Sequence, residues 1–358
     1  MAQSIRVIPI AIPDWRQMLS ESLVSTRALE ARFPGTVAPD AVVAKYPMRI
    51  NPYLLSLIKE PGDPIWWQFI PDPAELLDDP FHADPLQEDI QSPVPNLIHR
   101  YPDRVVLLVT DECAAYCRFC MRRRRVGGLS AGSGDSRKQS LAYIRRNRRI
   151  RDVILSGGDP LMLEDNDLEN VLEKLQRISH VEIIRIHTRM PVTLPHRVTA
   201  ELAAMLARFH PLYVNIHINH PAELTEIAKN AFRPLADAGI PLGSQTVLLR
   251  GVNDTPEIMR ELMTRLVACR IRPYYLHHPD AVPGTAHFRP SVSVGLAILK
   301  SLHGHVSGPC VPHYKIDLPG GGGKVPLVPN YIRGRSDSSL IIENFEGHCF
   351  ACPSGSSA

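Results

Sequence analysis

Nothing in the 358 residues reads as a membrane span, because no apolar run approaches the roughly 18 residues that crossing a bilayer requires. The opening MAQSIRVIPIAIPDW has no basic region followed by a long apolar stretch, so no targeting signal is expected and the expected compartment is the cytoplasm. Excess charge of one sign is also scarce. Lys and Arg number 40 against 37 Asp and Glu, a formal +3, which gives no global field to draw the chain to nucleic acid or membrane. Cysteine is sparse and odd in number, at seven, which argues against a secreted disulfide scaffold. The remaining composition, 44% apolar and 22% charged, is that of a globular chain long enough for one large domain or two smaller ones. Proline alone is abundant, with 33 residues scattered among apolar segments, and it predicts loops of defined geometry rather than disorder.

The first hundred residues are irregular and Pro-rich, with helices expected at Asp14–Ser25 and around Asn51–Ile58. The polar stretch DPLQEDIQSPVPNLIHRYPD reads as a linker or a wrapping arm, with a boundary near Asn96. A rhythm begins after it. Strands are expected at Arg104–Thr110, Asp152–Leu155, Val181–His187, Leu212–His217, Leu242–Leu249 and Pro273–Leu276. Helices are expected between and after them at Ser140–Asn147, Asp167–Ile178, Ala200–Phe209, Ala222–Ala238, Pro256–Ala268 and Val292–His303. Alternation of this kind implies βαβ units and an α/β fold with a parallel sheet. Six units are too few for an eight-stranded barrel and suit an open, partial (β/α)6 barrel, although periodicity alone also permits a doubly wound sheet. The expected division is an N-terminal helical and irregular region over 1–95, the partial barrel over 96–306 and a short C-terminal extension over 307–358. In either architecture ligands sit at the carboxyl ends of the strands.

Directly after the first expected strand stands TDECAAYCRFCMRRRR. Cys113, Cys117 and Cys120 are spaced C-x3-C-x2-C, and soft thiolates suit zinc or iron–sulfur centres. A structural zinc site closes with four ligands, whereas three close thiolates leave one corner open for a substrate. This spacing resembles the radical S-adenosylmethionine superfamily, whose 4Fe–4S cluster chelates that cofactor. Gly157, Gly158 and Asp159, in SGGDP after the second strand, look like the superfamily's element holding the cofactor's amino group. Glycines let a backbone approach a ligand closely. The neighbouring Arg123–Arg125 read as a solvated basic run.

The tail contains DLPGGGGKVPLVPN, in which Lys324 follows four consecutive glycines. A lysine that forms a Schiff base needs an accessible amine, but a flexible loop with a solvated lysine has the same local pattern. Together with YPDRVVLLVTDECAAYCRFCMRRR, LSGGDPL, HINHP, LLRGVND, RPYYL and HFRP, the motif closely resembles the lysine 2,3-aminomutase family, from about Asn96 to about Gly347. The resemblance implies a radical isomerase with a 4Fe–4S cluster, S-adenosylmethionine and pyridoxal 5′-phosphate, exchanging an amino group with hydrogen on the adjacent carbon. It implies that Lys324 carries the pyridoxal phosphate and that Arg100, Tyr101 and Arg104 surround it. His217 and Gln245 would contact S-adenosylmethionine. Arg122 would bind the substrate carboxylate, and Asp280 and Asp317 would hold the far ammonium of lysine. Two carboxylates beside a buried pocket favour a substrate ending in an ammonium over one ending in a carboxylate.

The same resemblance implies a homo-oligomer and an electron donor such as flavodoxin or ferredoxin, with neither nucleic acid nor membrane as partner. Alternatives are a β-lysine-forming mutase serving elongation factor P modification and a 2,3-aminomutase for glutamate or arginine. A rival of another class is an RNA-binding or tRNA-modifying radical enzyme, suggested by Arg122–Arg125 and by IRRNRRIR at 144–151. The low net charge and the absence of an added RNA-binding domain oppose it. The chain departs from the better-known clostridial pattern in two places. LHHPD before Asp280 carries histidines where an aromatic and a polar residue are usual. The tail retains only Cys349 and Cys352, and Thr255 stands where a zinc-binding cysteine is expected, so zinc is doubtful; such a site would need His348. Cys269 and Cys310 read as buried apolar residues.

Overall fold

The computed structural model describes residues 14–35, 39–127, 134–336 and 338–353. Nine strands form one sheet: β1 (Leu97–Tyr101), β2 (Arg104–Thr110), β3 (Asp152–Gly157), β4 (Ile183–Thr188), β5 (Leu212–His217), β6 (Leu242–Val247), β7 (Ile271–His277), β8 (His313–Leu318) and β9 (Gly323–Pro326). They lie side by side in chain order, with β2 to β8 parallel and the outer pairs β1/β2 and β8/β9 antiparallel. A second sheet of β10 (Ile332–Arg335), β11 (Ser339–Glu343) and β12 (Cys349–Pro353) forms the C-terminal extension.

The two-residue period of the strands separates core from lumen. Val105, Leu107 and Val109 of β2, Ile184 and Ile186 of β4, and Leu212, Val214 and Ile216 of β5 belong to one apolar core shared with the helices. The alternate positions, including Arg185 and His187 of β4 and Asn215 and His217 of β5, share the other face, which becomes the inside of the barrel. The helices present matching stripes. Leu168, Val171, Leu172 and Leu175 are the buried residues of the helix Asp165–Gln176, a spacing of three and four. Thr199, Thr225 and Thr255 cap the helices Ala200–Ala207, Glu226–Asp237 and Pro256–Ala268 by accepting from the backbone amide three residues on. Thr255 is therefore occupied as a cap.

The six expected strands correspond to β2 through β7, and the partial barrel is observed in place of a doubly wound sheet. Three strands were not expected. β1 lies in the segment read as a linker, while β8 and β9 add to the barrel from the tail. Side chains join the first and last strands. Tyr101 of β1 accepts a hydrogen bond from the Lys324 backbone amide on β9 at 2.8 Å, so the curled sheet nearly closes. The expected helix Asp14–Ser25 is instead Trp15–Ser20, followed by Thr26–Arg32, because Leu23 breaks away to bridge Ile50. Leu54, Trp66 and Phe69, from the helices Pro52–Leu57 and Pro64–Phe69, build a separate apolar cluster that reaches Ala115 and Cys117. The N-terminal helices thus pack directly on the cysteine loop.

Candidate active site

The cysteine loop is fixed by its neighbours before any metal is considered. The amides of Gly158 and Asp159 donate to the carbonyls of Thr110 and Glu112 at 2.7 and 2.8 Å. A Cβ on Gly157 would stand 2.1 Å from the Thr110 oxygen, and one on Gly158 would stand 2.2 Å from the Glu112 oxygen. The close approach permitted by these glycines is therefore to the cysteine loop itself. The Asp159 side chain is engaged within the protein. Its buried carboxylate accepts from the Thr188 hydroxyl at 2.6 Å and from the amides of Leu161, Arg189 and Met190 at 3.0, 2.7 and 3.0 Å. It clamps the turn after β4.

That turn delivers Arg189, whose Nη1 donates to the Cys117 sulfur at 2.7 Å. Burial, followed by the charge of Asp159, pushes the Cys113 thiol well above its usual range. Burial likewise raises Cys120, to about 11.

The arginines after Cys120 are paired, not solvated, which corrects the expectation for Arg123–Arg125. Arg123 and Arg118 both reach the fully buried Glu75. Arg124 lies 2.9 Å from Asp84 and 3.1 Å from Asp89, and Arg125 also pairs with Asp89. Arg122 forks onto Glu88, with Nη2 at 2.7 Å and Nε at 3.1 Å, and its Nη1 reaches Ser156 at 3.3 Å. Of the two readings of this polar segment, linker or wrapping arm, the arm is observed, as an acidic strap across the arginine run. Glu75 and Glu88 escaped the sequence reading. Glu88 had a signal, a block of acids with Asp84 and Asp89 matching a block of arginines, and Glu75 had none.

At the barrel mouth, register brings the remaining residues together. Asp317 and Lys324 are direct partners in the β8/β9 ladder, and the Lys324 ammonium pairs with the Asp317 carboxylate. Arg100 of β1 reaches the same carboxylate at 3.5 Å and is held by Gln91 at 2.7 Å. Arg104 stacks over the Tyr101 ring, with the guanidinium carbon 4.0 Å from its centroid. Asp280, just beyond β7, is pushed up to about 7 by burial and then by the neighbouring Asp317 charge. Deeper inside, His217 and Gln245 are register partners on β5 and β6. His217 bonds Asn219 at 3.0 Å and packs against Phe119, 5.6 Å between ring centroids. Burial holds His187, His217 and His277 well below the usual histidine range, so the lumen is lined by neutral imidazoles.

Residues 107–263 match the family model described as the Radical SAM superfamily, and residues 299–355 match the one described as Lysine-2,3-aminomutase. The chain is 47% identical over 347 residues to the L-lysine 2,3-aminomutase of Clostridium subterminale, covering 93% of this chain and 82% of that protein. The chain belongs to the lysine 2,3-aminomutase family. The L-lysine 2,3-aminomutase of Methanococcus maripaludis is 46% identical, with 93% of this chain and 80% of that protein covered. A glutamate 2,3-aminomutase of Clostridioides difficile is 43% identical, over 83% of this chain and 71% of that protein.

The lysine 2,3-aminomutase family implies a 4Fe–4S cluster, S-adenosylmethionine and pyridoxal phosphate, and the residues present fit them. Among the described residues no three His, Cys, Asp or Glu side chains gather closely enough for a single metal ion. The ligands of a four-iron cluster stand farther apart, and the three thiols occupy one short loop backed by a cationic donor. The Lys324 backbone amide meets Tyr101, whose ring Arg104 covers, and the Lys324 amine shares Asp317 with Arg100, which suits a phosphate-bearing aromatic cofactor. Zinc in the tail does not fit. Cys349 and Cys352 both lie on β12, three residues apart, so the pleat sends them to opposite faces. His348, the remaining donor expected there, lies 3.6 Å from Glu346. Of the two cysteines read as buried, Cys310 is buried and Cys269 is only partly so.

Among the described residues, no helix is long and apolar enough to cross a membrane.

Proposed function

We propose that the chain interconverts L-lysine and L-β-lysine by moving the amino group between adjacent carbons. The observation that carries this reading is the occupant of Asp317. This carboxylate, 5% exposed, already holds a primary ammonium on a four-carbon stem, that of Lys324. The far end of lysine is the same chemical group. Asp280 adds a second buried carboxyl whose ionisation is suppressed, so an incoming ammonium restores a charge that burial now opposes. A substrate ending in a carboxylate meets repulsion instead, which disfavours glutamate.

When bound, the cluster and S-adenosylmethionine supply a carbon radical that removes substrate hydrogen, and pyridoxal phosphate supplies the carbon that holds the migrating nitrogen. Cys113, Cys117 and Cys120 hold the cluster. His217, Gln245 and the backbone at Gly157 and Gly158 hold S-adenosylmethionine, while Asp159 fixes the turn beside it. Lys324 would hold pyridoxal phosphate, with Arg100, Tyr101 and Arg104 around the ring and phosphate. Arg122 would bind the substrate carboxylate at its Nη1 end, while Glu88 holds the Nε and Nη2 edge and fixes its orientation. With both ends of lysine fixed, the reacting carbons stay in register with the radical source, and the closed barrel keeps water from it. A low-potential donor such as flavodoxin or ferredoxin supplies the electron, and the working form is a homo-oligomer.

Borohydride reduction followed by peptide mapping tests the pyridoxal assignment. The label should fall on Lys324; a label on Lys315 would overturn it. Turnover of lysine to β-lysine by the reconstituted protein tests the reaction, and its absence with all three cofactors bound would overturn it.

A further inference from the structure

Arg189 is a buried charge that the reading above leaves unused. It is 7% exposed and follows β4 directly. One end of its guanidinium is satisfied within the protein, with Nη2 at 2.5 Å from Gln68 and 2.9 Å from Glu223. Those two partners are themselves essentially inaccessible, at 0% and 1% exposure. The rings of Phe69 and Phe119 lie 4.6 and 5.4 Å from the guanidinium carbon. The other end points at Cys117, with Nη1 2.7 Å from the sulfur. Nε is buried without a hydrogen-bond partner among the described residues. The backbone beneath is clamped by Asp159. A guanidinium needed only to neutralise Glu223 would require none of the contact with sulfur.

We propose that Arg189 is a positioning residue that eases reduction of the cluster by donating a charge-assisted hydrogen bond to the Cys117 sulfur. The inference rests on Cys113, Cys117 and Cys120 being cluster ligands. Reduction adds one electron from a low-potential one-electron donor and breaks no bond, and the added negative charge is shared by the sulfurs. A fixed cation and donor at a ligating sulfur stabilises the more negative state more than the oxidised one. Water is excluded there, so the interaction is weakly screened. Asp159 thus acts on the cluster at one remove, through the turn it holds.

The test is the midpoint potential, measured by spectroscopically monitored redox titration of the full chain reconstituted with iron and sulfide, without lysine. Three variants are compared with wild type at matched iron content and thermal midpoint. Arg189→Gln combined with Glu223→Gln removes both members of the buried pair, so no lone charge is left behind. Its potential should fall by at least about tenfold in the reduction equilibrium, about 59 mV for one electron. Arg189→Lys keeps a charge but loses the fork, and should fall between the two. Glu223→Gln alone keeps the bond to sulfur, removes the compensating anion and should move the potential upward. Unchanged potentials in the variants that assemble a cluster would overturn the role of Arg189. Failure of the wild type to assemble a cluster would overturn the cysteine assignment instead.

Discussion

Asp317 and Lys324 face each other across the β8/β9 ladder, joined by an ion pair that Arg100 extends to the opposite edge of the barrel. One carboxylate therefore ties together the first strand, the last parallel strand and the lysine assigned to the cofactor. This makes the two carboxylates proposed for the substrate ammonium unequal. Asp280→Asn should bind pyridoxal phosphate normally and lose most lysine turnover, with a cost of roughly 2–5 kcal/mol in substrate binding or positioning. Asp317→Asn should lose turnover and also weaken pyridoxal retention, because Lys324 and Arg100 lose their shared anchor. Cofactor absorbance and β-lysine formation, measured on both variants, distinguish the two outcomes. Equal, wild-type turnover in both would place the ammonium elsewhere.

Burial, and then the Asp317 charge, push the Asp280 carboxyl up to about 7, well above the usual carboxylate range. A carboxyl raised in this way favours the fold fully at acidic pH, and that contribution is lost as pH rises through about 7. Asp280→Asn should therefore flatten the decline in thermal stability between about pH 4 and about pH 7. Lysine binding places a cation beside the carboxyl and pulls its pKa down, so binding near neutrality should release a proton. Calorimetry of the pyridoxal-loaded protein in buffers of different ionisation enthalpy should detect that release in the wild type and not in the variant.

Glu75 anchors Arg118 and Arg123 in a fully buried cluster. Glu75→Ala leaves two buried guanidinium groups without their anion, and should cost roughly 3–5 kcal/mol of stability. Urea unfolding measures it directly; a loss below about 1 kcal/mol would mean that the arginines find other partners.

Gly158→Ala places a methyl group into the Glu112 carbonyl. The backbone cannot yield without moving the cysteine loop, so reconstituted iron content should fall well below wild type. Normal iron content would show that the contact between SGGDP and the loop does not matter for the cluster.

Cys349 and Cys352 point to opposite faces of β12. Protein purified without added metal should contain no stoichiometric zinc, and the Cys349→Ser, Cys352→Ser pair should keep the wild-type thermal midpoint. Stoichiometric zinc lost in that double variant would contradict this.

The sequence was most legible where apolar periodicity was strong. RVVLLVT and the five strands after it alternate core-facing and lumen-facing residues, and the helices between them carry regular apolar stripes. β8, HYKIDL, was missed because its lumen face is charged, and those charges are what the site requires. β1 was missed because Pro93, Pro95 and Pro102 mark its surroundings as loop. Local motifs singled out the cysteines and Lys324 as candidates. Arg189, Glu75 and Glu88 could not be found locally, because each acquires its role from a partner more than 30 residues away.

Product identity bears most directly on the assignment of lysine as substrate. Anaerobically reconstituted and reduced protein is given S-adenosylmethionine with L-lysine, L-glutamate or L-arginine in separate incubations, and the β-amino acid formed is identified by mass spectrometry. Lysine should yield β-lysine, and the other two should yield at most traces of their β-isomers. β-Glutamate or β-arginine as the main product, with β-lysine at background, would contradict the assignment.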